Sequence, residues 1–99
     1  MIVEERIYTL KIGALKAYRE LYLAEGFEVQ RSILGEPLGY YFTEFGTQNQ
    51  VVHLWSYDSF DDRESRRTAL FEHPDWLAYI QKAAPLVERQ ENRILKPLL

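Results

Sequence analysis

The sequence predicts an α+β fold of the ferredoxin-like type, strand-helix-strand-strand-helix-strand, with four strands in one antiparallel sheet. Three features carry that reading. Segments near both ends of the chain alternate with period two, and a tyrosine-rich run and an apolar run flank a short Gly-containing turn in the middle. A helix-period pattern stands between each end strand and that central hairpin.

Ile2 to Leu10 is the first strand, with Ile2, Glu4, Arg6, Tyr8 and Leu10 on one face and Val3, Glu5, Ile7 and Thr9 on the other. Gly13 opens a helical segment from Ala14 to about Glu25, where Leu15, Tyr18, Tyr22 and, beside them, Ala17, Leu21 and Ala24 make a broad apolar stripe. Gly26 is placed to end it as a left-handed C-cap, before a short extended piece around Ser32 to Leu34. Leu38 to Phe45 reads as a strand, Gly46 to Asn49 as a turn, and Gln50 to Tyr57 as the antiparallel partner. Ser59 is the N-cap of a helix from Phe60 to about Glu72, with Asp61 and Asp62 in the first turn, where the helix dipole favours negative charge. Pro74 cannot continue that helix but suits the first turn of another, which runs to Ala84 before Pro85 stops it. His73 is placed to cap its exposed N–H groups. Val87 to Lys96 alternates again, and Pro97 ends the ladder. Both helical segments then cover one sheet face. The other, expected to carry aromatic residues, is left for a second copy, so a symmetric homodimer is expected.

The 99 residues, 46% hydrophobic and 14% aromatic, suffice for one core, a single domain spanning residues 1–99. The absence of cysteine excludes disulfides, thiolate nucleophiles, iron–sulfur clusters and cysteine-based zinc sites. A net charge of −3, with twelve Lys and Arg dispersed from Arg6 to Lys96, argues against a grip on nucleic acid. No apolar run approaches the ~20 residues that cross a bilayer. The chain enters a strand at once without the marks of a secretory or import signal, so a soluble cytoplasmic protein is expected.

The chain resembles the NIPSNAP family, whose domain belongs to the dimeric α+β barrel group. The matching stretches are ERIYTLKIG at Glu5 to Gly13, GYYFTEFG at Gly39 to Gly46, NQVVHLWSY at Asn49 to Tyr57, then Arg63, Arg66 and Arg67, HPDW at His73 to Trp76, and PLVERQENRIL at Pro85 to Leu95. Each is weak alone, being mostly strand chemistry, but their order and spacing extend over nearly the whole chain. The resemblance implies a fold and a dimer. It implies little about activity, because the family's members are largely of unassigned biochemistry. Its animal relatives are associated with mitochondria and vesicular traffic and carry targeting segments that have no counterpart in this sequence. Other families with the same barrel include cofactor-free oxygenases, decyclising or dehydrating enzymes and haem proteins, and architecture does not fix chemistry.

The residues richest in chemistry lie on the strands. In QVVHLWSY, alternation puts Val51, His53, Trp55 and Tyr57 on one face. Arg6 and Tyr8 share a face of the first strand, and Arg89, Glu91 and Arg93 share one of the last. If these faces converge they surround a pocket for a planar or anionic small organic molecule. His53 is then the candidate general base and Arg6 the group that holds an anion or a developing enolate. Tyr8 and Trp55 wall the pocket, and Tyr57, Glu91 and Arg93 complete it as ligand-binding candidates. The bland reading stands beside this one: Glu91 pairs with Arg6 or Arg93, His53 completes a satisfied polar network, and buried charges select the dimer's register. The cluster Arg63, Arg66 and Arg67 reads either as an anion site or, with Asp61, Asp62 and Glu64 among them, as neutralised surface pairs. With only two histidines and no paired-ligand motif, no metal site and no cofactor are expected. Two functions remain in view, a cofactor-free proton-transfer or oxygenation enzyme and a non-catalytic dimeric binding or interaction module.

Overall fold

A computed structural model describes residues 1–99. Strand β1 (Ile2–Leu10) is followed by helix α1 (Leu15–Leu21), a π-helical turn (Tyr22–Gly26) and helix α2 (Phe27–Leu34). The hairpin strands are β2 (Gly39–Phe42) and β3 (Gln50–Tyr57). Helices α3 (Phe60–Glu72) and α4 (Pro74–Ala83), a 3₁₀ turn (Ala84–Leu86) and strand β4 (Val87–Leu95) complete the chain. The sheet order is β2-β3-β1-β4 with every pair antiparallel, as the ferredoxin-like expectation requires. No helix is long and apolar enough to cross a membrane.

The helix boundaries around the second half follow from local capping. The Ser59 hydroxyl accepts from the Asp62 N–H at 3.1 Å, and His73 Nδ1 accepts from the Asp75 N–H at 3.1 Å with Pro74 at the first helical position. The first half departs from expectation at Gly26. It does not cap a helix: its φ is −107°, and the chain continues in helix to Leu34, so the expected extended piece at Ser32 to Leu34 is absent. The Phe27 N–H reaches back to the Tyr22 carbonyl, the i to i+5 bond of a π turn. Gly26 is required for space, because a Cβ there would lie 2.9 Å from the Tyr79 ring. The left-handed terminator is Gly35, at φ +90°. Strand β2 is shorter than expected and the connecting loop longer, with Gly46 at φ +106° and Asn49 at φ +64° turning the chain back into β3.

The helices cover the face that carries Ile2, Glu4, Leu10, Val51, His53, Trp55 and Tyr57, all buried. Leu34 and Leu70 meet them from α2 and α3, and Trp76, Tyr79 and Ala83 from α4. The Cα trace measures 18 Å in its shortest dimension, the thickness of one sheet and one helical layer. The opposite face is bare. It is aliphatic and charged rather than aromatic: Val3, Glu5, Ile7, Val52 and Leu54 lie there, with Tyr41 the aromatic residue among them.

Strand β4 brings the second correction. Leu10 pairs with Val87 but Thr9 pairs with Arg89, so Glu88 is an extra residue that inverts the phase of the strand. Beyond the bulge, Gln90, Asn92 and Ile94 stand opposite Tyr8, Arg6 and Glu4 on the helix side. Arg89, Glu91 and Arg93 point the other way.

Candidate functional site

Strands β1 and β3 place Arg6 directly opposite His53, and β2 places Tyr40 opposite it on the other side. The imidazole is therefore central in the sheet and fully buried. It stacks on the Tyr40 ring, 4.4 Å between centroids, and meets the Tyr8 ring edge-on at 4.9 Å. Its Nδ1 accepts a 2.7 Å hydrogen bond from the Trp55 indole N–H. Burial, with the nearby Arg6 charge as a smaller cause, lowers its pKa to about 3. The ring is thus neutral at neutral pH, and the proton that Nδ1 lacks must sit on Nε2. That Nε2–H has no partner in the fold.

A cavity of about 50 Å³ lies between sheet and helices, with His53, Tyr8 and Tyr40 on its sheet side and Trp76, Tyr79 and Ala83 on its helix side. The Trp76 indole N–H is also buried without a partner. Two residues that line one small space thus each carry a buried, unsatisfied donor, which costs on the order of 1–3 kcal/mol until an acceptor arrives. The surrounding phenols are held protonated: burial raises Tyr18, Tyr22, Tyr40 and Tyr79 above the ordinary phenol value. The Tyr18 and Tyr40 hydroxyls share a 2.8 Å hydrogen bond. On the far side of that pair lies an open apolar groove of about 250 Å³, lined by Leu15, Phe27, Phe42 and Val51, with Arg19 beside it. No carboxylate lines either space.

A second polar cluster sits beside the first. Glu4 is fully buried, and its Oε2 accepts from Arg6 Nη1 at 3.0 Å, Arg63 Nη2 at 2.8 Å and Asn92 Nδ2 at 2.8 Å. Burial would raise the carboxyl pKa, but the Arg63 and Asn92 hydrogen bonds and the charges of Arg6 and Arg67 outweigh it and hold it at about 2. Arg6 also donates through Nε to the Tyr8 hydroxyl at 3.1 Å. A row along one face of β1, Glu4 to Arg6 to Tyr8, thus links the ion cluster to the cavity wall.

The structure therefore brings together only part of the predicted set. His53 and Tyr8 line the cavity. Arg6 stands behind Tyr8 with its charge neutralised by Glu4. Trp55 serves no wall and instead orients the imidazole. Tyr57 is buried on the same sheet face but outside the cavity, its hydroxyl unpartnered. Glu91 and Arg93 are not part of the site at all, because the Glu88 bulge turns them to the bare face. There Arg93 pairs with Glu5 at 2.8 Å and Arg89 with Glu91 at 2.5 Å. The arginine trio divides as well: Arg63 joins Glu4, Arg66 pairs with Asp62 at 2.9 Å, and the Arg67 guanidinium lies over Phe71. Tyr40, Trp76 and Glu4 were missed by sequence reasoning. Of these only Glu4 had a signal, since strand alternation puts it on the face of Arg6 and Tyr8.

The fold and this chain's sequence have clear relatives. The NIPSNAP family model matches residues 3–99. A NipSnap homolog from Dictyostelium discoideum is 33% identical over 95 residues, covering 96% of this chain and 42% of that protein. The chain spans less than half the length of the curated relatives it matches. A crystal structure of a NIPSNAP family protein from Agrobacterium tumefaciens is 46% identical, with a TM-score of 0.95 over 98% of this chain and 87% of that one. A Nitrosomonas europaea protein, named provisionally as an antibiotic biosynthesis monooxygenase, matches over the full length of both chains with a TM-score of 0.71. Its 15% identity makes it a likeness of fold alone. With a family model covering almost every residue and close structural relatives of the same family, the chain belongs to the NIPSNAP family.

Proposed function

We propose that this domain is a homodimeric small-molecule-binding module whose ligand enters between the sheet and the helices and presents an oxygen acceptor to His53. The observation that carries the reading is that His53 and Trp76, each with a buried and unpartnered N–H, line one cavity. A purely structural polar core supplies partners for its own groups. The Glu4 cluster does so for three donors, although Glu4 Oε1 and Arg63 Nε stay unpaired there, whereas the N–H groups of His53 and Trp76 gain no partner at all. Binding is favoured over proton-transfer catalysis because the cavity presents no ready proton acceptor. The one free lone pair of the imidazole is occupied by the Trp55 indole, and the Tyr18, Tyr22, Tyr40 and Tyr79 phenols are held protonated.

The test is a ligand-observed NMR screen of small aromatic and carboxylic compounds against the protein and an Ala83→Leu variant that fills the cavity, with circular dichroism to check folding. Compounds that bind the protein and are lost on filling support the reading. No binders, or binders indifferent to filling, contradict it.

A second reading, cofactor-free proton transfer or oxygenation with His53 as base, draws on one observation, the neutrality of the imidazole at working pH. In that reading Arg6 acts through Tyr8 on the developing charge. It requires the Trp55 contact to open during turnover, so Trp55→Phe raises the rate on a true substrate and leaves it unchanged if Nδ1 takes no part. The dimer is supported by the bare face, where Val3, Ile7, Val52 and Leu54 are half-buried in a single chain and charges of both signs suit two-fold self-pairing. Sedimentation of the protein against Leu54→Arg checks it: a dimer converted to a folded monomer is the expected result.

A further inference from the structure

The inner cavity and the outer groove are separate spaces with common walls, Tyr18, Tyr22 and Tyr40. Their volumes differ in a way that assigns each a different part of a ligand. A cavity that takes benzene measures about 150 Å³, so the inner space, at about 50 Å³, is too small for a ring and admits a head group of a few heavy atoms. The groove, at about 250 Å³, admits a fused bicycle against Leu15, Phe27 and Phe42.

The head group's chemistry follows from what lines the inner space. The unsatisfied groups there, His53 Nε2 and Trp76 Nε1, are both donors. No cation lines that space, since Arg6 is bound to Glu4 and Tyr8, so a carboxylate would lose its hydration without a counter-ion. No anion lines it either, which excludes an ammonium group. An uncharged acceptor remains. The groove's one charged residue is Arg19, which tolerates a single anionic substituent at the opposite end of the molecule.

Resting on the ligand-binding reading above, we infer that the ligand is an aryl carbonyl compound, with its ring in the groove and its ketone or quinone oxygen in the inner cavity, accepting from His53 and Trp76. The Tyr18–Tyr40 hydroxyl pair parts to let the carbonyl through, and the shape of the site selects a flat molecule with the carbonyl at its tip.

The experiment compares 2-acetylnaphthalene, 2-ethylnaphthalene, 2-naphthoate and 2-naphthylmethylammonium by intrinsic-fluorescence titration against the full chain and Trp76→Phe. That substitution keeps a ring and removes no hydrogen bond from the folded protein. The ketone is expected to bind at least about fivefold tighter than its ethyl analogue, the advantage of one or two net hydrogen bonds, and the ammonium compound not to bind. Trp76→Phe should shrink the ketone's advantage and leave the ethyl compound's affinity unchanged. Equal binding of ketone and ethyl compound, or an advantage that survives Trp76→Phe, overturns the carbonyl assignment while the ligand-binding reading stands. Tighter binding of naphthoate than of the ketone overturns the uncharged head group. Absence of binding by all four, together with an empty fragment screen, removes both readings.

Discussion

Replacing Glu4 by glutamine keeps the side chain's shape and removes its charge, which isolates what the buried carboxylate does. Its Oε2 takes hydrogen bonds from Arg6, Arg63 and Asn92, and the side chain has no exposure at all. Arg6 is 11% exposed and Arg63 22%, so neither guanidinium regains full hydration when its counter-ion is lost. Two routes give the magnitude. A carboxyl held at about 2 instead of 4.5 favours its ionised form by roughly 3 kcal/mol at about 1.4 kcal/mol per pH unit. Removing one partner from a buried ion cluster costs about 3–5 kcal/mol in general. The routes agree, and about 3 kcal/mol is a large part of the roughly 5–15 kcal/mol that holds such a domain folded. For a domain of this size it lowers Tm by roughly 12–24 °C. The assay is urea and thermal unfolding followed by circular dichroism at pH 7, with Glu28→Gln as control. Glu28 is exposed and pairs with Arg31 on the surface, where a loss below about 1 kcal/mol is expected. A Glu4→Gln loss no larger than the Glu28→Gln loss refutes the reasoning that Glu4 is a buried counter-ion for the sheet.

Three further outcomes are expected. His53 has a folded pKa of about 3 against an ordinary 6.5, so between those values the unfolded chain binds a proton that the native chain does not, and stability falls as pH falls. The slope is about 1.4 kcal/mol per pH unit below 6.5. Glu4, depressed from 4.5 to about 2, contributes stability that is complete above 4.5, and its loss adds a second slope below that pH. Urea midpoints from pH 7 to 5 check the His53 slope, which His53→Gln should flatten, and midpoints from pH 4.5 to 3 check the second. Trp55→Phe strips Nδ1 of its only donor and costs about 1–3 kcal/mol, with the two imidazole tautomers mixing in ¹⁵N spectra. Gly26→Ala drives a Cβ into the Tyr79 ring and costs about 1–3 kcal/mol by overpacking. Gly13→Ala, at φ +82° with open space around it, costs only the backbone strain of roughly 1 kcal/mol. Equal losses at the two glycines, measured by urea unfolding, contradict the packing role of Gly26.

The parts of the fold that are legible in the sequence are those decided locally. Ser59 and His73 cap because their own side chains reach the N–H groups two or three residues on, and the strands from Ile2 and Gln50 declare themselves by alternation. What escapes is decided at a distance. Gly26 reads as a helix terminator because its reason, the Tyr79 ring, arrives from α4. Glu91 and Arg93 read as site residues because alternation counted back along β4 has no sign of the Glu88 bulge. The same alternation does place Glu4 in one row with Arg6 and Tyr8, yet a pairing of Arg6 with Glu91 sounds equally good until the register is known. At the candidate site, His53 and Tyr8 were visible as polar groups in strands. Trp76 and Tyr40 were not, because the signal they carry, an indole N–H with no acceptor and a ring stacked on the imidazole, exists only once three elements meet.

Whether His53 is a neutral donor is read from the pair of its imidazole ¹⁵N shifts, recorded from pH 8 to pH 5 in a His73→Asn variant, which keeps a capping side chain and leaves one histidine. A protonated Nε2 and a pyridine-like Nδ1 are expected to hold throughout this range, with the Nε2 signal moving when 2-acetylnaphthalene is added. An imidazole that titrates near 6.5, or one whose proton resides on Nδ1, contradicts a buried neutral donor facing a ligand cavity.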